Sequence, residues 1–311
     1  MSTSLDRRRL DTVHLVPPTP FTPDGVRVLP EVLSEFVRTM VAVGVRVFLP
    51  AAGTGEFHSL TVEEALACIR ATRNAAGPEC TVLAPVGLGL NHAREVAVGA
   101  CDADADAILL MPPVHPYLCD VGFRNYFREI AAAVPGMPLL CYKRGPVPSD
   151  RLLLELAEHH GLVGVKYAVN DVDGITRLAT TAQGRVGLYC GTAERFAPFF
   201  HLAGATGYTS GAGCLAPRLT LAMHAALTRG DYPEAMRILR IIRPIEDARA
   251  RDGDSFNITL VKYGLEVLGH PFGPPRPPQR QLDDREKGEF RAILEPILAA
   301  EAELGEIAPT R

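Results

Sequence analysis

The chain has 311 residues, 47% hydrophobic and 22% charged, with a net charge of −4. That balance predicts a soluble globular protein of one large domain or two ordinary ones, and it excludes the basic surface of a nucleic-acid binder. No apolar stretch reaches the roughly 18 residues of a membrane span. The opening MSTSLDRRRLD lacks the apolar segment of a signal peptide, so a cytoplasmic protein without a membrane partner is expected. The run RRR at 7–9 reads as solvated surface. Seven cysteines are scattered with no C-x-x-C pair, as expected of small core residues in a reducing compartment. No His/Cys cluster has zinc-like spacing and no Gly-rich phosphate loop follows a strand, so neither metal nor cofactor is expected.

Eight short apolar runs follow one another along the first two-thirds of the chain. They are HLVPPTPF (14–21), VRVFLPA (45–51), TVLAPVG (81–87), AILLMPP (107–113), PLLCYKR (138–144), LVGVKYA (162–168), GLYCGT (187–192) and GYTSGA (207–212). Unbroken apolar runs of this length read as strands buried on both faces. Helical patterns lie between them. The first places Leu33, Phe36, Val37, Met40 and Val41 on one face, and the second opens on a Thr61/Glu64 capping box. The alternation predicts an α/β fold, either a (β/α)8 TIM barrel or an open doubly wound sheet. The count of eight and the lack of a dinucleotide fingerprint favour the barrel. After residue 214 the strand signals stop, and 215–229, 232–250, 254–268 and 283–303 read as helices. The Pro-rich GHPFGPPRPPQR (269–280) reads as an ordered loop. The expected organisation is a barrel over 1–214 with C-terminal helices over 215–311 packed on it as one structural unit.

Strand six holds the most informative residue. GLVGVKYAV (161–169) carries Lys166 inside an apolar run, where lysine is rare without a reason. The chain has four lysines against 28 arginines, so Arg supplies surface charge wherever charge alone suffices. A lysine amine can lose its proton and attack a carbonyl, which a guanidinium cannot do. The alternative is a lysine that snorkels to water or pairs with a carboxylate.

In such barrels the active site lies at the C-terminal ends of the strands. After strand two, Gly53, Thr54 and Gly55 form a loop whose backbone N–H groups and hydroxyl suit a carboxylate. Glu56 reads as a salt-bridged or capping group rather than a base. Strand five ends Cys141-Tyr142-Lys143-Arg144. Alternation sets Tyr142 opposite Cys141 and Lys143, so a Tyr142 in the barrel mouth leaves Lys143 pointing away and Lys166 as the amine. Tyr142 reads either as a proton relay for that amine or as a core tyrosine. Arg144 shares the tyrosine's face. Gly191, Thr209 and Ser210, at the ends of strands seven and eight, leave space for a ligand.

Taken in order, PPTPFTPDG, GTGE, Tyr142, GVK, GTAE and ITLVKYGLEVLG resemble the dihydrodipicolinate synthase / N-acetylneuraminate lyase superfamily over residues about 13 to 300. The resemblance implies a barrel whose lysine, here Lys166, forms a Schiff base with a 2-oxo acid such as pyruvate. It implies Tyr142 as proton relay and leaving-group acid, Thr54 with its loop as holder of the substrate carboxylate, and a homotetramer built as a dimer of dimers. Members that condense pyruvate with aspartate semialdehyde carry Gly-Thr-Thr-Gly-Glu, an arginine five residues after the tyrosine, and a second, subunit-crossing tyrosine. Here those positions are Gly53, Val147 and His115, with Tyr117 near. GTGEF-x-SLT, Tyr142-x-Arg144 and GTAE-x-F are instead similar to 5-dehydro-4-deoxyglucarate dehydratases, although KYAVNDVD after the lysine differs from the KDG-x-GD of that branch. The resulting expectation is a decarboxylating dehydratase of a sugar diacid, with Arg144 on the distal carboxylate. Aldolase, dihydrodipicolinate synthase and a catalytically silent ligand-binding barrel are the alternatives.

Overall fold

Eight parallel strands close on one another in chain order, β1 (Val13–Leu15), β2 (Val47–Phe48), β3 (Thr81–Val86), β4 (Ala107–Leu110), β5 (Leu139–Lys143), β6 (Leu162–Tyr167), β7 (Gly187–Cys190) and β8 (Gly207–Ser210), with β8 returning to β1. This computed structural model describes residues 5–306; the first four residues of the segment read for a signal peptide lie outside them. Closure decides for the barrel over the open sheet. Each strand lies within its expected apolar run or within a residue of it.

Strand alternation sorts side chains into two cores. Leu83, Leu109, Leu140 and Tyr189 fill the interior with Leu10, Val47 and Phe57. Val82, Ile108, Leu139, Cys141, Val165 and Cys190 face the helices. Those helices are α1 (Pro30–Val43), α2 (Val62–Ala76), α3 (Leu90–Asp102), α4 (Asp120–Ala133), α5 (Asp150–His159), α6 (Val172–Ala182) and α7 (Ala197–Leu202). Leu33, Phe36, Val37 and Met40 form the buried face of α1. The Thr61/Glu64 capping box opens α2 as its residue types require. Arg7–Leu10 forms a short 3-10 turn whose Leu10 packs into the interior core.

The C-terminal third is helical, with α8 (Pro217–Thr228), α9 (Tyr232–Arg249), the short α10 (Arg251–Asp254), α11 (Asn257–Val267) and α12 (Asp284–Glu306). Helix α8 packs against β1, α1 and α9, so it is the eighth helix of the barrel ring rather than part of the added tail. Strand-counting stops at β8 and cannot see that a β/α unit ends with its helix. Helix α12 packs on α8, α9 and α11.

Candidate active site

A cleft of about 760 Å3 opens at the C-terminal ends of the strands. The loops after β2, β4, β5, β7 and β8 line one side, and residues of α9, α10 and α11 line the other. Register brings its central pair together. Lys166 of β6 stands beside Tyr142 of β5 and Tyr189 of β7, and laterally paired residues of parallel strands share a face. Lys166 Nζ lies 4.1 Å from the centre of the Tyr142 ring. Only 6% of Lys166 is exposed. Among the described residues no carboxylate pairs with its amine. Burial lowers its pKa from 10.5 to about 7, and the positive charge of Arg144 adds to that. Tyr142 is pushed the other way, above the ordinary phenol value, again chiefly by burial. The site therefore holds an amine that is substantially neutral at pH 7 beside a phenol that keeps its proton, a donor–nucleophile arrangement suited to carbonyl chemistry.

Gly191, on the loop after β7, gives the lysine its room. A Cβ there would sit 3.0 Å from Lys166 Cγ and 2.7 Å from the Ala168 side chain. Lys143 goes to the other face. Its Nζ donates to the carbonyls of Pro148 at 2.7 Å and Gly145 at 3.2 Å, and lies 3.4 Å from Asp150. That buried cation belongs to the β5–α5 connection.

Thr54 and Gly53 line the cleft. Gly55 does not. It is buried, its carbonyl accepts the Thr19 hydroxyl at 2.6 Å, and a Cβ would press within 2.8 Å of the Ala51 backbone. Gly55 thus makes the turn that presents Thr54. Arg144 lies on the cleft wall, its side chain 64% exposed, 3.9 Å from Asp254 of α10. Thr209 lines the cleft and donates to the Cys190 carbonyl at 3.4 Å.

Besides Gly55, two expected ligand residues lie elsewhere. Ser210 pairs in register with outward-facing Leu15, whereas Thr209 pairs with His14. One residue's step along a strand reverses the face, and the Ser210 hydroxyl donates to Glu194 and accepts from the Gly213 N–H. The parity that separates Lys143 from Tyr142 applies equally to Thr209 and Ser210. His115 is exposed in the β4–α4 loop, where its Nδ1 accepts the Tyr117 N–H at 3.2 Å, and it does not line this chain's cleft.

Packing also brings in residues that pattern did not single out. His58 and Arg195 line the wall. Arg249 of α9 reaches the cleft, pairs with Glu246, and donates to the Asn257 backbone and side chain. Behind the loop after β7, Glu194 is fully buried and accepts from the Ser210 and Thr220 hydroxyls; its second oxygen has no hydrogen-bond partner among the described residues. Burial first, then the charge of Glu246, raises its pKa above the ordinary carboxylate range. On the barrel interior, His14 donates through Nε2 to the Leu10 carbonyl at 2.7 Å, packs 4.9 Å from the Tyr189 ring, and is held neutral by burial, with a pKa near 4. Sequence spacing does not reveal these roles, because the partners of Glu194 are 16 or more positions away and those of Arg249 lie in the C-terminal helices.

This fold and this cleft define a barrel enzyme built around a buried lysine that has no carboxylate partner among the described residues. The dihydrodipicolinate synthetase family model matches residues 10–297, and the chain belongs to that family, whose members are lyases. It is 34% identical over 288 residues, 90% of each chain, to a Streptomyces coelicolor protein named probable 5-dehydro-4-deoxyglucarate dehydratase 1. A Bradyrhizobium diazoefficiens protein named probable 5-dehydro-4-deoxyglucarate dehydratase is 32% identical over 80% of each chain. Among solved structures, dihydrodipicolinate synthase from Bacillus clausii superposes with a TM-score of 0.88 at 34% identity, covering 93% of this chain and 98% of that one.

Proposed function

We propose that this protein is a Schiff-base lyase that dehydrates and decarboxylates a sugar diacid such as 5-dehydro-4-deoxyglucarate. The observation that carries this reading is Lys166, buried in the cleft without a carboxylate partner and stacked against Tyr142. Neutral Lys166 attacks the 2-oxo carbon, and Tyr142 passes protons between amine, carbinolamine oxygen and departing water. The iminium draws electrons from the neighbouring carbon, so a proton leaves there and the enamine expels the hydroxyl one carbon further on as water; the conjugated iminium then takes the electron pair released when the distal carboxylate leaves as CO2. Thr54 and its loop take the carboxylate beside the imine. Arg144 takes the distal one, since a guanidinium fork matches a carboxylate. The dehydratase names of the curated relatives support this substrate class.

A second reading, condensation of pyruvate with aspartate semialdehyde, draws support from the synthase structures at similar identity. Gly53, Val147 and His115 stand where that reaction's residues are expected, and they favour the diacid. The test is borohydride reduction in the presence of a 2-oxo acid, followed by intact mass, and then turnover of the diacid beside pyruvate plus aspartate semialdehyde. A Lys166 adduct with diacid turnover supports the proposal. An adduct with condensation alone selects the synthase, and no adduct leaves a silent binding barrel.

We also infer a homotetramer working in the cytoplasm. Exposed Val114 and Tyr117 after β4 support the assembly, and seven free cysteines support a reducing compartment.

A further inference from the structure

Glu56 stands two residues after Thr54, in the left-handed region at φ 61°. Its carboxylate is turned away from the cleft and is fully buried. One oxygen lies 2.6 Å from Lys262 Nζ of α11, and the other accepts the Arg276 backbone N–H at 2.8 Å. Lys262 also donates to the Pro274 carbonyl at 3.0 Å. Burial lowers Lys262 to about 8 against the pull of Glu56, so the ammonium persists at neutral pH. Phe21, on the loop after β1, lies between two cations, 4.1 Å from Lys262 and 4.2 Å from Arg276. The Arg276 guanidinium binds Glu64 and the Gly25 and Ser59 carbonyls. Thr19 holds the Gly55 carbonyl from the β1 side. The loop that presents Thr54 is thereby fixed to the β1 loop, to α11 and to the Pro-rich loop, with the Glu56–Lys262 contact at its buried centre.

We propose that the buried Glu56–Lys262 pair is a positioning pair, which sets the Thr54 loop in the geometry that takes the carboxylate of a 2-oxo acid and makes the C-terminal helices part of substrate recognition. It rests on the Schiff-base reading above. Stability alone is a weak reason for such a pair. Desolvation offsets most of its attraction, and an apolar pair of similar volume commonly folds as well. What the ions add is direction. The ammonium fixes α11 against Glu56 and the Pro274 carbonyl together, which packing alone leaves free to slide.

The double variant Glu56→Gln/Lys262→Met separates positioning from charge neutralisation, because it leaves no buried charge unpaired. The full-length wild type, Glu56→Gln and the double variant are titrated with pyruvate under borohydride, and their melting temperatures are measured. The expected result is at least a tenfold loss of pyruvate affinity in Glu56→Gln that persists in the double variant. The trapping rate at saturating pyruvate stays within about twofold of wild type, and the melting temperature recovers in the double variant. Wild-type affinity in the double variant overturns the proposal, as does unchanged affinity in both variants or a loss confined to the saturating rate. A wild type that traps no pyruvate overturns the Schiff-base reading and this proposal together.

Discussion

At the residue scale, Lys166 carries a cost that can be measured apart from its chemistry. Its amine is held near pKa 7 in the fold against 10.5 in an ordinary environment. The unfolded chain therefore binds more protons between those values, and stability rises with pH across that window. Below pH 7 the fold bears the full penalty of a buried ammonium, on the order of 5 kcal/mol by the usual conversion. Above about pH 10.5 the penalty is gone. Lys166→Met is expected to raise the melting temperature at pH 6 and to raise it much less at pH 10; a gain independent of pH would remove the buried-ammonium account. Lys166→Arg abolishes turnover because a guanidinium forms no imine, and more than a few per cent of residual activity would contradict the assignment. Tyr142→Phe is expected to lower kcat by on the order of 10²-fold, the usual size for a positioned acid–base group, with binding weakened less. Steady-state kinetics with the diacid would check it. For Lys143→Arg, strand parity alone predicts a harmless change. The structure predicts unchanged chemistry with lost stability, since a larger fork must enter a slot closed by the Pro148 and Gly145 carbonyls.

At the scale of elements, what the sequence reveals follows from periodicity. Buried parallel strands announce themselves as apolar runs, and alternation along β5 already separates Tyr142 from Lys143. The same alternation along β8 separates Thr209 from Ser210, but both residues are small and polar, so composition alone groups them. A residue delivered by helix packing, such as Arg249, carries no local mark at all, and Glu194, although it ends the GTAE run, has its burial and its Ser210 and Thr220 partners set only by packing. Ser210 illustrates the consequence. Ser210→Ala removes a donor to Glu194 behind the β7 loop, so it lowers the melting temperature and leaves KM for the 2-oxo acid near wild type; a raised KM at unchanged stability would return Ser210 to the ligand site. Glu194 itself has its pKa raised by burial and by Glu246. The fold then holds protons that the unfolded chain has released, and stability falls as pH climbs past the ordinary value of 4.5. Glu194→Gln should therefore stabilise the protein more at pH 8 than at pH 5 in thermal melts. Arg144 sits on a different kind of element, an open strand end. Its exposure and its long 3.9 Å approach to Asp254 mean that water screens whatever it binds. Arg144→Ala should raise KM for the diacid about tenfold, while pyruvate imine formation changes little. Equal losses for both ligands would make Arg144 structural.

At the scale of the whole molecule, the surface after β4 is where the proposed assembly would form. Val114, Tyr117 and Val121 are 82%, 85% and 60% exposed within eight residues. Scattered exposed hydrophobics are ordinary, but a cluster on one loop and helix start marks an association surface. His115, between the first two, lies outside its own chain's cleft, at the position where the resemblance places a residue that crosses to a neighbouring subunit. If this face joins two copies, Tyr117→Asp puts a charge into a desolvated interface, where it has no partner. Light scattering should then show the wild type as a dimer or tetramer at micromolar concentration and the variant shifted towards monomer. Because the assembly would complete each active site, the variant should also lose activity, and the loss should shrink as protein concentration is raised. A wild type that is monomeric at micromolar concentration would end the assembly reading. A variant that stays assembled would move the interface to another face of the barrel.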